Sequence, residues 1–349
     1  MPRRAGTIET VDEIEEAINK RWGAGTVTRA SNPEHLITRI PTGVLSVDHK
    51  MHGGFARGRS VELYGGEHTG KSALSFHVLA EAQRMGGKAA YVDCERTFSP
   101  SFAEHLGIDL NTLRYHEQEH GHRVVDFMET LLYSRQYDVI VMDSIAALLP
   151  KSEKENDMDA GSMGMEQAKL MSKALRKLTT ANKRTVLIFI NQTREAVGKM
   201  FGDKTTTSGG RAMAFYASTR IEMTRIETIK GKQIVVDPKT SKDKTTDVPV
   251  GHRILFKMKK EKTGAGYVGQ ETTAVFNYTL SDFDPIEDLI YVGRLCGIVK
   301  NSGDTWWVAG HESEKSAGRT RFVRWLSTHW EACHEIELEC RSQIDLFDE

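Results

Sequence analysis

The stretch VELYGGEHTGKSALSFHVLAEAQRM, residues 61–85, decides how the chain is read. It opens as a short apolar strand, VELYGG (61–66), passes a glycine-rich turn and continues as a helix over 71–85, with Leu74, Val78, Leu79, Ala82 and Met85 on one side. Between strand and helix stands Gly65-Gly66-Glu67-His68-Thr69-Gly70-Lys71-Ser72. This is GxxxxGKS in the strand–turn–helix setting that a phosphate-binding loop requires. Glycines let successive backbone N–H groups turn toward phosphate oxygens, and the helix N-terminus adds its dipole. Lys71 can reach β- and γ-phosphates, and the Ser72 hydroxyl can ligate Mg²⁺.

Outward from the loop the same alternation recurs. AAYVDCE (89–95), DVIVMDS (138–144) and TVLIFINQ (185–192) read as continuous apolar strands, with helices over 124–136 and 164–181 between them. Such strands predict an α/β fold, a mostly parallel sheet covered by helices on both faces. Further strands near 218–226, 252–259 and 271–279 have a more antiparallel character. Residues 10–22 predict a short amphipathic helix: Thr10 and Glu13 fit a capping box and Gly23 fits the stop. Its stripe of Val11, Ile14, Ile18 and Trp22 must bury on its own core or on another subunit. Residues 24–60 are rich in turn residues, with extended pieces such as HLITRI. From about 285 the composition shifts to a small α/β domain carrying Trp306, Trp307, Trp325 and Trp330. The expected parts are therefore an N-terminal helical segment (1–34), a core (35–284) and a C-terminal domain (285–349).

Two polar, Gly-rich segments, about 151–164 and 193–210, each follow a core strand. Long loops inside a compact domain are uncommon and usually functional. A third segment, 229–250, is Lys- and Asp-rich and predicts an exposed hairpin or loop.

At 349 residues the chain has room for about two domains. It is 39% hydrophobic and 27% charged, a globular composition, and its net charge of -1 excludes a uniformly basic nucleic-acid coat. Charge is uneven nonetheless. Residues 227–262 carry ten Lys/Arg against five Asp/Glu, while 335–349 carry six acids and one arginine, an acidic tail able to compete for a basic groove. The four cysteines, Cys94, Cys296, Cys333 and Cys340, form no CxxC pair and no zinc spacing. No apolar stretch follows the two arginines of MPRRAGTIET, and runs such as VLIFI (186–190) are too short to span a bilayer. The expectation is a soluble intracellular protein with no membrane partner.

Three strand ends extend the phosphate site. Asp143 closes VIVMD, where a carboxylate beside a phosphate loop can hold a magnesium shell; its plainer role is to cap the next helix. Glu95 ends the second strand at the edge where ligands gather, and can orient and deprotonate a water for attack on a γ-phosphate. Gln192 follows IFIN, and its uncharged amide can hydrogen-bond a γ-phosphate or simply satisfy strand-end backbone groups. Cys94 reads as a small buried residue.

With these residues in place the chain resembles the bacterial RecA-type homologous recombinases, including their phage-encoded relatives. The matching stretches are GTVTRA (25–30), PTGVLSVD (41–48), GGFARGRSVELYGGEHTGKS (53–72), VIVMDSIAALLPK (139–151), LIFINQTR (187–194) and MFGDKTTTSGGRAMAFYASTR (200–220), thinning after residue 300 to pieces such as RFVRWL (321–326). The resemblance implies an ATPase core that polymerises on single-stranded DNA, pairs it with homologous duplex and exchanges strands, using ATP and Mg²⁺. It makes Lys71 and Ser72 the phosphate and Mg²⁺ residues, Asp143 the second magnesium carboxylate, Glu95 the base and Gln192 the switch that reports intact ATP. Phe102 falls where the family stacks an aromatic ring on adenine, and Ser99 departs from the acidic residue common there.

The same resemblance makes the two loops DNA-gripping segments. It implies apolar wedges at Met163 and Phe201, phosphate contacts at Lys169, Arg176, Arg194 and Arg211, and hydroxyl or backbone contacts at Gly164, Thr206, Thr207, Gly209 and Gly210. Lys260 and Lys262 match lysines delivered into the neighbour's ATP site. Val11, Ile14 and Ile18 match the polymerisation helix, and Phe215 and Arg220 match subunit-facing residues; Ala214 replaces an interface lysine, so either Arg211 supplies that charge or the interface couples differently. Single-strand binding protein and loader or mediator proteins are the further partners it suggests, in the cytoplasm of a bacterium or of a phage's host. A hexameric helicase on the same core and a mediator using ATP only as a switch are the rival readings. A small-molecule kinase would leave both loops unexplained.

Overall fold

The computed structural model describes residues 10–31, 36–118, 120–148, 160–195, 205–209, 211–236 and 243–345, with backbone alone at 160–164, 194–195, 205–206, 233–236, 243–244 and 345. The chain divides into two compact units, residues 1–38 and 39–349. In the first, helix α1 (Val11–Trp22) starts where the sequence predicts. The Thr10 hydroxyl accepts from the Glu13 N–H at 3.3 Å, and the Glu13 carboxylate accepts from the Thr10 N–H at 2.7 Å, so two orphan donors are satisfied reciprocally. The Asn19 amide bonds both backbone groups of Val27 and folds the segment after the helix back onto it. No residue of α1 is buried; Val11, Ile14 and Trp22 are exposed and Ile18 is half-buried.

The second unit begins with β1 (Arg39–Ile40), α2 (Leu45–Lys50), β2 (Phe55–Ala56), β3 (Ser60–Gly65) and α3 (Lys71–Arg84). It continues through β4 (Ala89–Asp93), α4 (Pro100–His105), β5 (Arg114–Glu117), α5 (Gly121–Ser134), β6 (Val139–Asp143), α6 (Ala160–Ala181) and β7 (Val186–Glu195). Next come β8 (Thr205–Thr207), α7 (Ala212–Tyr216), β9 (Thr219–Val236), β10 (Asp243–Lys260), β11 (Glu271–Asn277) and β12 (Asp282–Phe283). It ends with α8 (Pro285–Leu295), β13 (Val299–Ser302), β14 (Thr305–Val308), β15 (Ser316–Ala317), α9 (Arg319–Thr328) and α10 (Trp330–Asp345).

One large sheet runs in the order β12-β11-β10-β9-β3-β7-β6-β4-β5. From β9 to β5 every junction is parallel, and from β9 outward to β12 every junction is antiparallel. The apolar strands are continuous in sequence because both faces are covered. Val61, Leu63, Tyr91, Val139, Val141, Val186, Ile188 and Ile190 face one cluster with Leu74, Val78 and Leu79 of α3. The residues between them, Ala90, Val92, Ile140, Met142, Leu187 and Phe189, face a second cluster with α5 and α6. The period-2 alternation thus feeds two cores. Cys94 belongs to the second, and burial pushes its thiol up to about 12, in keeping with a packing role. Helices α8, α9 and α10 and three short strands after Asp284, with Leu45 of α2, form a third cluster, in which Trp306 and Phe322 stack at 6.0 Å.

Several expectations change. Met85 is exposed: α3 ends at Arg84, so the residue caps the helix instead of extending its apolar face. α6 starts at Ala160, four residues earlier than expected, because the small residues of AGSM continue the helix without an apolar stripe to announce it. Met163 and Gly164 are therefore helical, not loop, residues. β7 runs on to Glu195 and pairs antiparallel with β8, so residues 193–195 and 205–207 of the 193–210 segment are strand. The 229–250 segment agrees with the hairpin expected there: residues 229–236 and 243–250 pair antiparallel as the outer parts of β9 and β10, beyond the reach of β3, which pairs only with Thr219–Met223, and of β11, which pairs only with Gly251–Lys257. No helix among the described residues is long and apolar enough to cross a membrane.

Candidate active site

The carboxyl ends of β3, β4, β6 and β7 bring the predicted groups to one sheet edge. At Gly65 the loop leaves β3 so close to β9 that a Cβ would stand 2.1 Å from the Met223 carbonyl oxygen; only glycine fits. The loop winds to Gly70, the N-cap of α3, and delivers Lys71 and Ser72 as the first helical residues. Lys71 is buried, and its Nζ donates to the Gly66 carbonyl at 2.6 Å and the Gly65 carbonyl at 3.3 Å. Burial lowers its pKa, while Asp143, Glu95 and Glu67 hold the charge on.

Ser72 Oγ donates to Asp143 Oδ2 at 2.8 Å. Tyr91 Oη donates to the same oxygen, also at 2.8 Å. Asp143 is buried, which pushes its pKa from 3.8 to about 6 against the pull of those two hydrogen bonds. Glu95 Oε1 accepts from Ser144 Oγ, and from Gln192 Nε2 at 3.3 Å. Asp93 shapes the turn that carries Glu95, its carboxylate accepting from the N–H groups of Glu95, Arg96 and Phe98 and from Tyr115 Oη.

A cavity of about 550 Å³ opens over His68–Ala73, walled by Phe102, Phe276, Tyr278, His252 and Arg225. Phe102 packs on Phe76 at 5.8 Å, and Ser99 N-caps α4, its hydroxyl accepting from the Phe102 N–H. A larger cavity, about 1020 Å³, lies between the end of α3 and residues 106–114, away from every strand-end carboxylate just described. The chemistry selects the smaller one. Tyr91, Ser144, Asp93, Arg225, His252 and Tyr278 carry no local motif. The one signal was Asp93-x-Glu95, a carboxylate able to satisfy the N–H groups of its own turn.

The remaining residues fall elsewhere. Lys260 is paired with Arg220 across β9–β10, and Arg220 is paired with Glu62, three residues before Gly65. Its Nζ donates to the carbonyls of Ala214 and Phe215 at 2.7 and 2.9 Å, and burial with the nearby charges of Lys262 and Arg220 brings it down to about 8. Lys260 thus does not stand at this subunit's own phosphate loop, and Lys262 is exposed. Lys169 and Arg176 are exposed on α6, and Arg211 is exposed before α7. Thr207 pairs with Thr193 and Thr206 with Arg194, whose side chains lie outside the described residues. The Met163 side chain, Phe201 and Gly210 also lie outside them. Gly209 is buried against α6, where a Cβ would meet Met171 at 3.0 Å. Phe215 is exposed, whereas Arg220 turns inward to Glu62 and lies over the Tyr64 ring at 4.8 Å.

A helix-flanked mixed sheet with this turn and these carboxylates on one edge is the architecture of an α/β ATPase of the recombinase class. The family model for the RecA N-terminal domain matches residues 9–261. The chain is 35% identical to Protein RecA of Bifidobacterium longum over 99% of its length and 82% of that protein. It is 37% identical to Protein RecA of Clostridium acetobutylicum, covering 97% and 93% of the two chains. Against Protein RecA of Roseiflexus castenholzii the identity is 38%, over 92% and 86%. The chain belongs to the RecA family. It is a RecA-type recombinase of DNA recombination and repair, with the family's ATPase activity, DNA binding and self-assembly.

Proposed function

We propose that ATP binds with its phosphates in the 65–72 loop, that neighbouring subunits sandwich it, and that the bound triphosphate favours the filament form that grips single-stranded DNA. The supporting observation is the convergence at one sheet edge of Lys71, the Ser72–Asp143 pair and the Glu95–Gln192 pair. Ser72 and Asp143 present hard oxygens of the kind Mg²⁺ takes. Held there, the ion would offset the negative charge of the phosphates. Lys71 exchanges its bonds to loop carbonyls for phosphate oxygens. Glu95 has one oxygen engaged by Ser144 and Gln192, and its other oxygen accepts the proton of the attacking water.

Gln192 hydrogen-bonds the γ-phosphate, and Phe102 stacks on the base beneath the cap made by Ser99. Lys260 and Lys262 act in the neighbour's site, stabilising charge on the transferring phosphoryl group, which makes hydrolysis depend on assembly. Lys169, Arg176, Arg194 and Arg211, with Met163, Gly164, Phe201 and the 206–210 stretch, hold DNA. Val11, Ile14, Ile18 and Phe215 serve the subunit interface, in which residues 1–34 are the polymerisation segment, 35–284 the core and 285–349 an accessory domain. A single-strand binding protein and loader proteins are partners of this filament in the bacterial cytoplasm or in a phage's host.

Two variants test the scheme. Lys71→Ala should lose ATP-dependent assembly on single-stranded DNA, seen by electron microscopy. Glu95→Gln should still form filaments yet hydrolyse ATP at least about 100-fold more slowly. Normal turnover by Glu95→Gln removes Glu95 from the mechanism, and closed rings in place of filaments would point to a helicase. Strand exchange with homologous but not with unrelated duplex is the matching functional readout.

A further inference from the structure

Three polar side chains beneath the site have no part in that scheme. Glu62 of β3, Asn191 of β7 and Arg220 of β9 come from three adjacent strands. The register sets Glu62 against Arg220 on one side and Tyr64 against Asn191 on the other, so Asn191 is the diagonal neighbour of Glu62. Glu62 and Asn191 are fully buried. Arg220 Nε donates to Glu62 Oε2, and Asn191 Nδ2 donates to Glu62 Oε1 at 2.8 Å.

Asn191 has two further bonds. Its Nδ2 also donates to the Ser208 carbonyl at 3.0 Å, and its Oδ1 accepts from the Gln192 N–H at 2.9 Å. Both amide hydrogens and the amide oxygen are therefore used, each toward a different part of the molecule. Glu62, pinned by Arg220, is a fixed point in the sheet. Ser208 directly follows β8, on the arm that returns from the 196–204 segment. Gln192 is the residue whose side chain reaches Glu95. A buried amide at the end of an apolar run costs desolvation that only such bonds recover.

We infer that Asn191 is a positioning residue, coupling the nucleotide-facing Gln192 to the DNA-side arm 205–209 through one amide. The arm cannot shift at Ser208 without freeing or turning that amide, and the amide cannot turn without disturbing the Gln192 peptide. A coupling between sites needs a contact whose state both sites bias. The inference rests on the reading of Gln192 as the γ-phosphate contact and of Glu95 as the base beside it.

Asn191→Asp is the direct test. It replaces Nδ2 by oxygen, so both donations are lost, and it sets a second carboxylate against Glu62. The double variant Glu62→Gln/Asn191→Asp reverses the polarity of the 62–191 bond, the new amide donating to the new carboxylate. It restores nothing for the Ser208 carbonyl. The readout is the ratio of single-stranded DNA Kd without and with a non-hydrolysable ATP analogue, alongside the melting temperature. Both variants should lose about tenfold of the nucleotide-induced gain in DNA affinity, the worth of roughly one hydrogen bond. Only the double variant should regain the stability that the single one loses.

A double variant that regains wild-type coupling along with stability overturns the inference, because the network is then structural only. If the single variant does not fold, the double one decides. If neither folds, hydrogen exchange on the wild type decides. The analogue should protect 205–209 together with 186–195, and protection of 186–195 alone refutes the link. Glu95→Gln separates the two levels. If it hydrolyses ATP normally, the site reading fails; if it is inactive while Asn191→Asp keeps full coupling, only the coupling through Asn191 fails.

Discussion

Replacing Asp143 by asparagine should stabilise the nucleotide-free protein while disabling it. Asp143 is buried at the carboxyl end of β6 and accepts from Ser72 and Tyr91, yet burial still raises its pKa from 3.8 to about 6. The native state therefore holds this proton more tightly than the unfolded chain does. Stability falls as pH rises from about 3.8 to about 6, and above that window the cost is fully present. The gap between 3.8 and about 6 corresponds to about 3 kcal/mol. Asparagine keeps an acceptor for Ser72 and Tyr91 and carries no charge to desolvate. Two losses offset part of the gain: an amide hydrogen without a partner, and the attraction that helps keep buried Lys71 protonated. At about 1 kcal/mol each they leave about 1 kcal/mol, or roughly 1–2 °C in melting temperature for a chain of this length. Thermal unfolding in EDTA at about pH 7.5 reads this directly, and repeating it near pH 5 should shrink the difference, since the wild-type carboxyl is then mostly protonated. Saturating Mg²⁺ and ADP should reverse the order, because ligand binding stabilises only the protein that binds. A variant that melts at or below the wild type in EDTA, or a difference that ignores pH, refutes the reasoning.

Arg220→Ala removes the cation from fully buried Glu62 and should cost about 3–5 kcal/mol, with Glu62→Gln in the same chain recovering more than half; equal melting of Arg220→Ala and wild type would contradict this. Arg341→Met strips Asp48, also fully buried, of the guanidinium at 3.3 Å that ties α10 to α2, so limited proteolysis should cut within α10 first, and unchanged protection there would show the tie to be idle. Affinity for single-stranded DNA should fall linearly on a log–log plot against salt, and Lys169→Ala or Arg176→Ala should each flatten the slope by about 0.7; a variant with the wild-type slope does not contact phosphate.

The features legible in the sequence are those whose physics is local. The 65–72 loop combines turn, dipole and charge within eight residues, and the Thr10–Glu13 box satisfies two donors within one turn. The strands were legible because burial on both faces demands unbroken apolar runs. Where a boundary depends on a partner distant in the chain, the reading slips. β7 extends to Glu195 only because β8 pairs with it, and nothing in TREAV announces that ladder. Residues 160–164 look like loop because Ala, Gly and Ser carry no stripe, although as the first turn of a long helix they continue a structure that packing downstream already stabilises. Apart from Phe102, the walls of the cavity over the 68–73 loop come from β9, β10, β11 and the residue after it, brought to the loop by the topology, so Arg225, His252 and Tyr278 could not be picked out along the chain.

The deepest gap concerns polar residues inside apolar strands. Glu62 stands inside the apolar strand VELYGG and Asn191 at the end of IFIN, and neither is marked as buried by its sequence neighbours. Both are fully buried, and each is tolerable only because the other and Arg220 are there. Pairwise satisfaction across strands leaves no trace in spacing or composition, since Glu62 and Asn191 are 129 positions apart and Glu62 and Arg220 158. Such a network is also poorly suited to partial rearrangement: moving one member leaves a carboxylate or an amide unpaired at a cost of several kcal/mol. It therefore favours discrete arrangements over gradual ones. On the proposed scheme, in which nucleotide is sensed at Gln192 and DNA is held along the arm paired to β7, that kind of response is what the coupling needs, and the buried amide at 191 is where Gln192 and Ser208 share a bonding partner.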